Sequence, residues 1–123
     1  MRYLLLIYGV EARYAKMTPQ EMEPFLAAWT RFDQEILASG VVEASNRLRP
    51  VSFASTVRVR GSKPAVTDGP FAETKEQLGG FYQIEVPDLD AALTWAGKVP
   101  TAELGSVEVR PIWERADFGM KPK

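Results

Sequence analysis

RYLLLIY, residues Arg2 to Tyr8, is the stretch that sets the architecture. It is apolar at both parities, with Tyr3, Leu5 and Ile7 alternating with Leu4, Leu6 and Tyr8. Successive side chains of a strand point to opposite faces, so a strand of this composition belongs in a sheet covered on both sides. What covers each side decides the fold.

Two amphipathic helices are available. TPQE, Thr18 to Glu21, reads as a helix start, with Thr18 as cap, Pro19 at the first position and Glu21 closing a capping box. Met22, Phe25, Leu26, Trp29, Phe32 and Ile36 then recur at three and four, and Gly40 is the stop. Pro24 lacks the amide that a helix needs, which predicts a kink or a late start. The second helix is DLDAALTWAGKVP, capped by Asp88, with Leu89, Ala92, Leu93 and Ala96 on one face. Trp29 and Trp95 fall on the apolar stripes and read as core.

The remaining segments are extended or irregular. Residues 9–17 read as a loop, and Val41 to Pro50 as irregular or weakly extended. STVRVRG, Ser55 to Gly61, alternates as a half-exposed strand, with PAVTDG as its hairpin partner. A single helical turn is predicted from Thr74 to Leu78, ended by Gly79 and begun by a Thr74–Gln77 capping pair. GFYQIEV, Gly80 to Val86, and GSVEVRPIW, Gly105 to Trp113, are the last two strands. Strand, helix, strands, strand, helix, strand describes a ferredoxin-like α+β fold, an antiparallel sheet with two helices on one face and an added central hairpin. The helices cover one face only. A second copy of the same sheet is the simplest cover for the other, so a homodimer with sheets face to face is expected.

The chain has 123 residues, the size of one domain, expected over residues 1–113 with a loose polar tail at 114–123. Hydrophobic residues make up 46% and charged residues 25%, as in an ordinary globular protein. A net charge of -1 gives no reason to expect nucleic acid or an anionic membrane as partner. The longest apolar run is too short to span a bilayer and lacks the features of a secretory signal, so the cytoplasm is expected. There is no Cys and no His. Disulfides, thiol nucleophiles, Ser–His–Asp hydrolysis and a typical zinc site are therefore excluded, and neither metal nor cofactor is expected. Any proton transfer falls to Asp, Glu, Tyr, Lys or water.

Two groups of residues are candidates for chemistry. Asp68, in Asp68-Gly69-Pro70, is either a carboxylate at a cavity mouth or a turn residue whose side chain accepts backbone amides, with Gly69 supplying an unusual φ. On the strands, Tyr82, Ile84, Val86, Val107 and Val109 suit the helix side, which turns Phe81, Gln83, Glu85, Glu108 and Arg110 to the dimer side. With Tyr8 they would line a cavity for a small polar or aromatic acid, or else form intersubunit ion pairs. The short charged stretch TKEQ reads as structural.

Four segments, RYLLLIYG, VTDGPFAETKEQLGGFYQIEV, DLDAALTWA and GSVEVRPI, together resemble the YCII-related family in its DGPF-motif branch, from about Met1 to Trp113. The resemblance implies a ferredoxin-like fold of the dimeric α/β-barrel class. Members of the wider family are thought to use a His–Asp pair, and one is similar to a dehydrochlorinase acting on a chlorinated aromatic. A chain without His does not carry that pair, and Asp68 is the candidate left for its acidic half. Two readings follow: a ligand-binding or regulatory module, and a cofactor-free lyase or isomerase using a carboxylate base such as Asp68 or Glu85.

Overall fold

The computed structural model describes residues 1–117. The strands are β1 (Arg2–Gly9), β2 (Val42–Arg47), β3 (Ser55–Arg60), β4 (Lys63–Asp68), β5 (Gln77–Glu85) and β6 (Ser106–Pro111). The helices are α1 (Glu11–Ala15), α2 (Pro19–Ala38) and α3 (Leu89–Lys98), with short 3₁₀ turns at Val51–Phe53, Pro100–Glu103 and Arg115–Asp117. A four-stranded antiparallel sheet has the order β2-β5-β1-β6, and β3 and β4 form a separate two-stranded hairpin. This is the ferredoxin-like α+β arrangement with an added hairpin. A single chain forms an open sheet and no closed barrel.

The doubly apolar strand β1 sits inside the sheet, paired on both edges. Its Tyr3, Leu5 and Ile7 face the helices and are buried, Leu5 completely at 0% exposure. Phe32 and Ile36 of α2, Ala92 and Ala96 of α3, and Tyr82, Ile84 and Val86 complete that core, with Val107 and Val109 packed against it. Phe32 is the aromatic hub, meeting Trp29, Tyr82 and Trp95 edge-on at 5.9, 5.6 and 6.4 Å between centroids. Leu4, Leu6 and Tyr8 look the other way and are only half-buried, so that face of the sheet stands open in one chain.

α2 begins where its cap was read. Thr18 Oγ1 accepts from the Glu21 amide at 3.2 Å, and Glu21 accepts from the Thr18 amide at 3.0 Å. There is no late start at Pro24: the helix runs continuously through it. The carbonyl that loses its donor belongs to Gln20 on the exposed side, where water can replace the missing amide.

Other expectations are corrected. The loop after β1 contains α1, a single turn in which the Val10 carbonyl accepts from Arg13 and Tyr14 at 3.0 and 3.4 Å; five residues are too few to show a periodic stripe. The stretch read as irregular or weakly extended takes the extended form over β2, an exposed edge strand with no burial alternation to read. The helical turn at 74–78 is absent. Gln77 is drawn into β5 instead, its amide nitrogen donating to the Thr74 carbonyl at 2.7 Å and its Oε1 accepting from the Glu11 amide at 2.9 Å. The polar tail does not begin loosely at Glu114, because the Arg2 guanidinium donates twice to its carboxylate at 2.9 and 2.8 Å. The rest of that tail, 118–123, lies outside the described residues. Among the described residues no helix is long and apolar enough to cross a membrane.

Candidate functional site

A cavity of about 800 Å³ lies on the helix side of the sheet, between α2 and strands β2 and β5. Its roof is the N-terminal half of the α2 stripe, Met22, Phe25, Leu26 and Trp29, whose C-terminal half, Phe32 and Ile36, is sunk in the core. One periodic run thus does two jobs. The floor includes glycine on the sheet: Gly9 on β1, and Gly79 and Gly80 on β5. The β1–β5 register shifts between Ile7 and Tyr8, opposite Gly80 and Leu78, so Gly79 is the extra residue of a bulge. A Cβ on Gly80 would stand 2.8 Å from the Asn46 carbonyl oxygen, and one on Gly9 only 2.7 Å from the Tyr14 hydroxyl. Neither position admits a side chain without movement.

Polar groups gather at two places in this apolar space. At the α2 end, the buried Tyr82 hydroxyl donates to Asp33 Oδ1 at 2.7 Å. Burial first, and the Asp33 carboxylate second, push the Tyr82 hydroxyl well above the ordinary phenol range. Tyr82 is therefore a fixed hydrogen-bond donor at any ordinary pH, and Asp33 Oδ2 carries no hydrogen bond within the described residues. Ser45 stands beside Tyr82 on β2, and Arg47 two residues further along. At the α1 end, both Glu11 carboxylate oxygens accept from the Val51 amide, at 3.3 and 3.1 Å, strapping α1 to the 3₁₀ turn. The Tyr14 ring stacks on Phe25 at 5.3 Å, and its hydroxyl is shut from solvent without a hydrogen-bond partner among the described residues. No group of three Asp or Glu able to hold a metal ion occurs among the described residues.

The residues singled out from sequence lie elsewhere, with one exception. Asp68 ends β4 opposite Ser55, exposed and away from the cavity lining. The corner beside it is held by Gly69, whose amide donates to the Ala54 carbonyl at 2.7 Å and whose carbonyl accepts from Thr56 Oγ1 at 2.8 Å. Gly69 has φ +99°, and the Asp68 side chain takes no part in those bonds. Tyr8, Gln83, Glu85, Glu108 and Arg110 gather on the open face, as the parity argument required. Leu4 is flanked there by Gln83 and Arg110, and Leu6 by Phe81 and Glu108. Gln83 donates to Glu43 at 3.0 Å, and Arg110 pairs with Glu108 along the same strand. Only Phe81 also borders the cavity.

Sequence reasoning missed Asp33, Tyr82, Arg47 and the glycine floor. The signal it passed over was the double glycine. Glycine inside a strand pattern marks a bulge or a close approach, and here it marks both.

The sequence profile of the YCII-related domain matches residues 1–116. This chain belongs to the YCII-related family. The match runs from before β1 to beyond β6, and so takes in the open sheet face, the hairpin and the cavity of this YCII-related domain. The domain is also 37% identical over 114 residues to an uncharacterized protein of Rhizobium meliloti (strain 1021), covering 91% of this chain and 92% of that one.

Proposed function

We propose that this YCII-related domain binds a small molecule with an aromatic body in the cavity between α2 and the sheet. One observation carries the reading: about 800 Å³ of space with an aromatic roof, glycine in its floor and a half-buried Tyr82–Asp33 pair, within the usual volume of small-molecule sites. A core packed only for stability fills such a space with side chains, whereas here Gly79, whose Cβ would meet only the Ile7 carbonyl oxygen at 3.9 Å, leaves part of the floor bare. The site thereby moves from the outer face of the sheet, where sequence parity had put it, to the helix side. Thermal melting and calorimetric titration with small aromatic compounds test the reading. Leu26→Trp, at a half-exposed roof position, should fill the mouth and abolish binding while the fold persists. A set of aromatic probes that leaves both melting and heat unchanged refutes it.

A second reading rests on Asp33. Asp33 lines the cavity with one carboxylate oxygen unbonded, an arrangement that suits a base in a cofactor-free lyase or isomerase. Release of product from a C–H acid by wild type, and its loss in Asp33→Asn with binding retained, would favour the enzyme over the module.

We also infer that two copies pair through the open face of the sheet, supported by half-buried Leu4, Leu6 and Phe81 at its centre. The stretch Asp68-Gly69-Pro70-Phe71 supports a place in the DGPF-motif branch.

A further inference from the structure

We propose that the ligand of this cavity is an aromatic acid with a hydroxyl or amino group at its far end, Arg47 binding the carboxylate and Asp33 the donor. The inference deepens the cavity reading above and rests on it. Its starting point is a pair of opposite charges that do not meet. Arg47 and Asp33 both line the cavity, yet no ion pair within 4 Å joins them. Arg47 is exposed on the edge strand β2, and its place in the cavity wall sets it within reach of a bound acid. The other carboxylate in the cavity wall, Glu11, is already engaged by the Val51 amide.

Each pole selects a different group. A guanidinium offers a planar fork of donors that fits a carboxylate with two parallel hydrogen bonds. An ionised carboxylate only accepts, and Tyr82 already occupies Asp33 Oδ1, so what Asp33 binds through Oδ2 must bring its own hydrogen. An acid turned toward Asp33 would meet like charge, which fixes the orientation.

The register separates the two poles along the cavity. Ser45 stands opposite Tyr82 and Arg47 opposite Gly80, so Arg47 leaves β2 two strand residues, about 6.8 Å, beyond the position facing the Tyr82 that binds Asp33. The floor between the poles is backbone at Gly80, and the roof above includes Phe25 and Trp29, which favours a flat body over a branched one.

The test uses para-hydroxybenzoate, its methyl ester and unsubstituted benzoate, titrated into wild type, Arg47→Gln and Asp33→Asn. Circular dichroism and melting first establish that both variants fold; an Asn at position 33 still accepts from Tyr82. Para-hydroxybenzoate should bind wild type at least about fivefold more tightly than either comparison compound. Arg47→Gln should lower its affinity to that of the ester and leave the ester unchanged. Asp33→Asn should weaken para-hydroxybenzoate and leave benzoate unchanged. An ester that binds wild type as well as the acid, or acid binding indifferent to Arg47→Gln, overturns the proposal while the cavity reading stands. Absence of binding by all three compounds at millimolar concentration overturns both.

Discussion

Tyr82 combines three roles in one side chain: its ring packs on Phe32, its parity places it under the helices, and its hydroxyl meets Asp33 at the cavity edge. Because its pKa is raised on folding, the sign of its pH effect is fixed. Its contribution to stability is complete below the ordinary phenol value of about 10 and is lost as the pH rises above it. Denaturant midpoints should therefore fall as the pH rises above about 10 in wild type, and less steeply in Tyr82→Phe. At neutral pH the same substitution should cost about 1 kcal/mol, through loss of the hydrogen bond to Asp33. A different outcome is expected at the Asp68-Gly69 corner. Asp68 is exposed and Gly69 makes the bonds, so Asp68→Asn and Asp68→Ala should each change stability by less than about 0.5 kcal/mol. Gly69→Ala, forced to φ +99°, should cost about 1 kcal/mol or more. An Asp68→Ala loss as large as that of Gly69→Ala, in chemical denaturation, would restore the side chain as the holder of the corner.

At the scale of elements, glycines divide by what surrounds them. Gly97 lies inside α3 with open space around it, so Gly97→Ala should stabilise by about 0.5–1 kcal/mol. A Cβ at Gly105 would instead stand 2.2 Å from the Tyr8 carbonyl oxygen, where β6 begins beside β1. Gly105→Ala must displace backbone and should destabilise by about 1–3 kcal/mol. Measuring both in one melting series separates helix propensity from strand approach. The elements most legible from sequence were those with strong local signals: the Thr18 capping box, the α2 and α3 stripes, and the β3–β4 hairpin, whose Gly61-Ser62 turn has positive φ at both residues. Those misread, α1, β2 and the start of β5, owe their conformation to distant partners such as the Gln77–Glu11 contact.

For the whole molecule, the open sheet face is the feature on which the proposed pairing turns. Leu6→Asp places a charge at the half-buried centre of that face and leaves the Leu5 face untouched. Sedimentation should show wild type as a dimer and Leu6→Asp as a folded monomer; a wild-type monomer at micromolar concentration would remove the pairing. The Arg2–Glu114 contact closes the chain near its two ends, joining β1 to the segment after β6. Its hydrogen bond to Arg2 holds the Glu114 carboxyl below the usual carboxylate range, so its contribution is present above that range and lost as the pH falls through the lowered value. Glu114→Gln should flatten the acid side of the stability profile there.

The sequence by itself determined the antiparallel α+β fold, the faces of its strands and the uncovered second face of β1, because periodicity and capping are local properties that survive in any context. It also carried the glycines of the cavity floor, without saying what they face. Only the tertiary structure decided that α2 roofs that hollow and that Asp33 meets Tyr82 across 49 residues of chain. The structure alone also left Arg47 on the same wall without an acid. Such a site is a meeting of residues whose separate local signals are those of ordinary packing and an ordinary edge strand, and its chemistry exists only once the chain has brought them together.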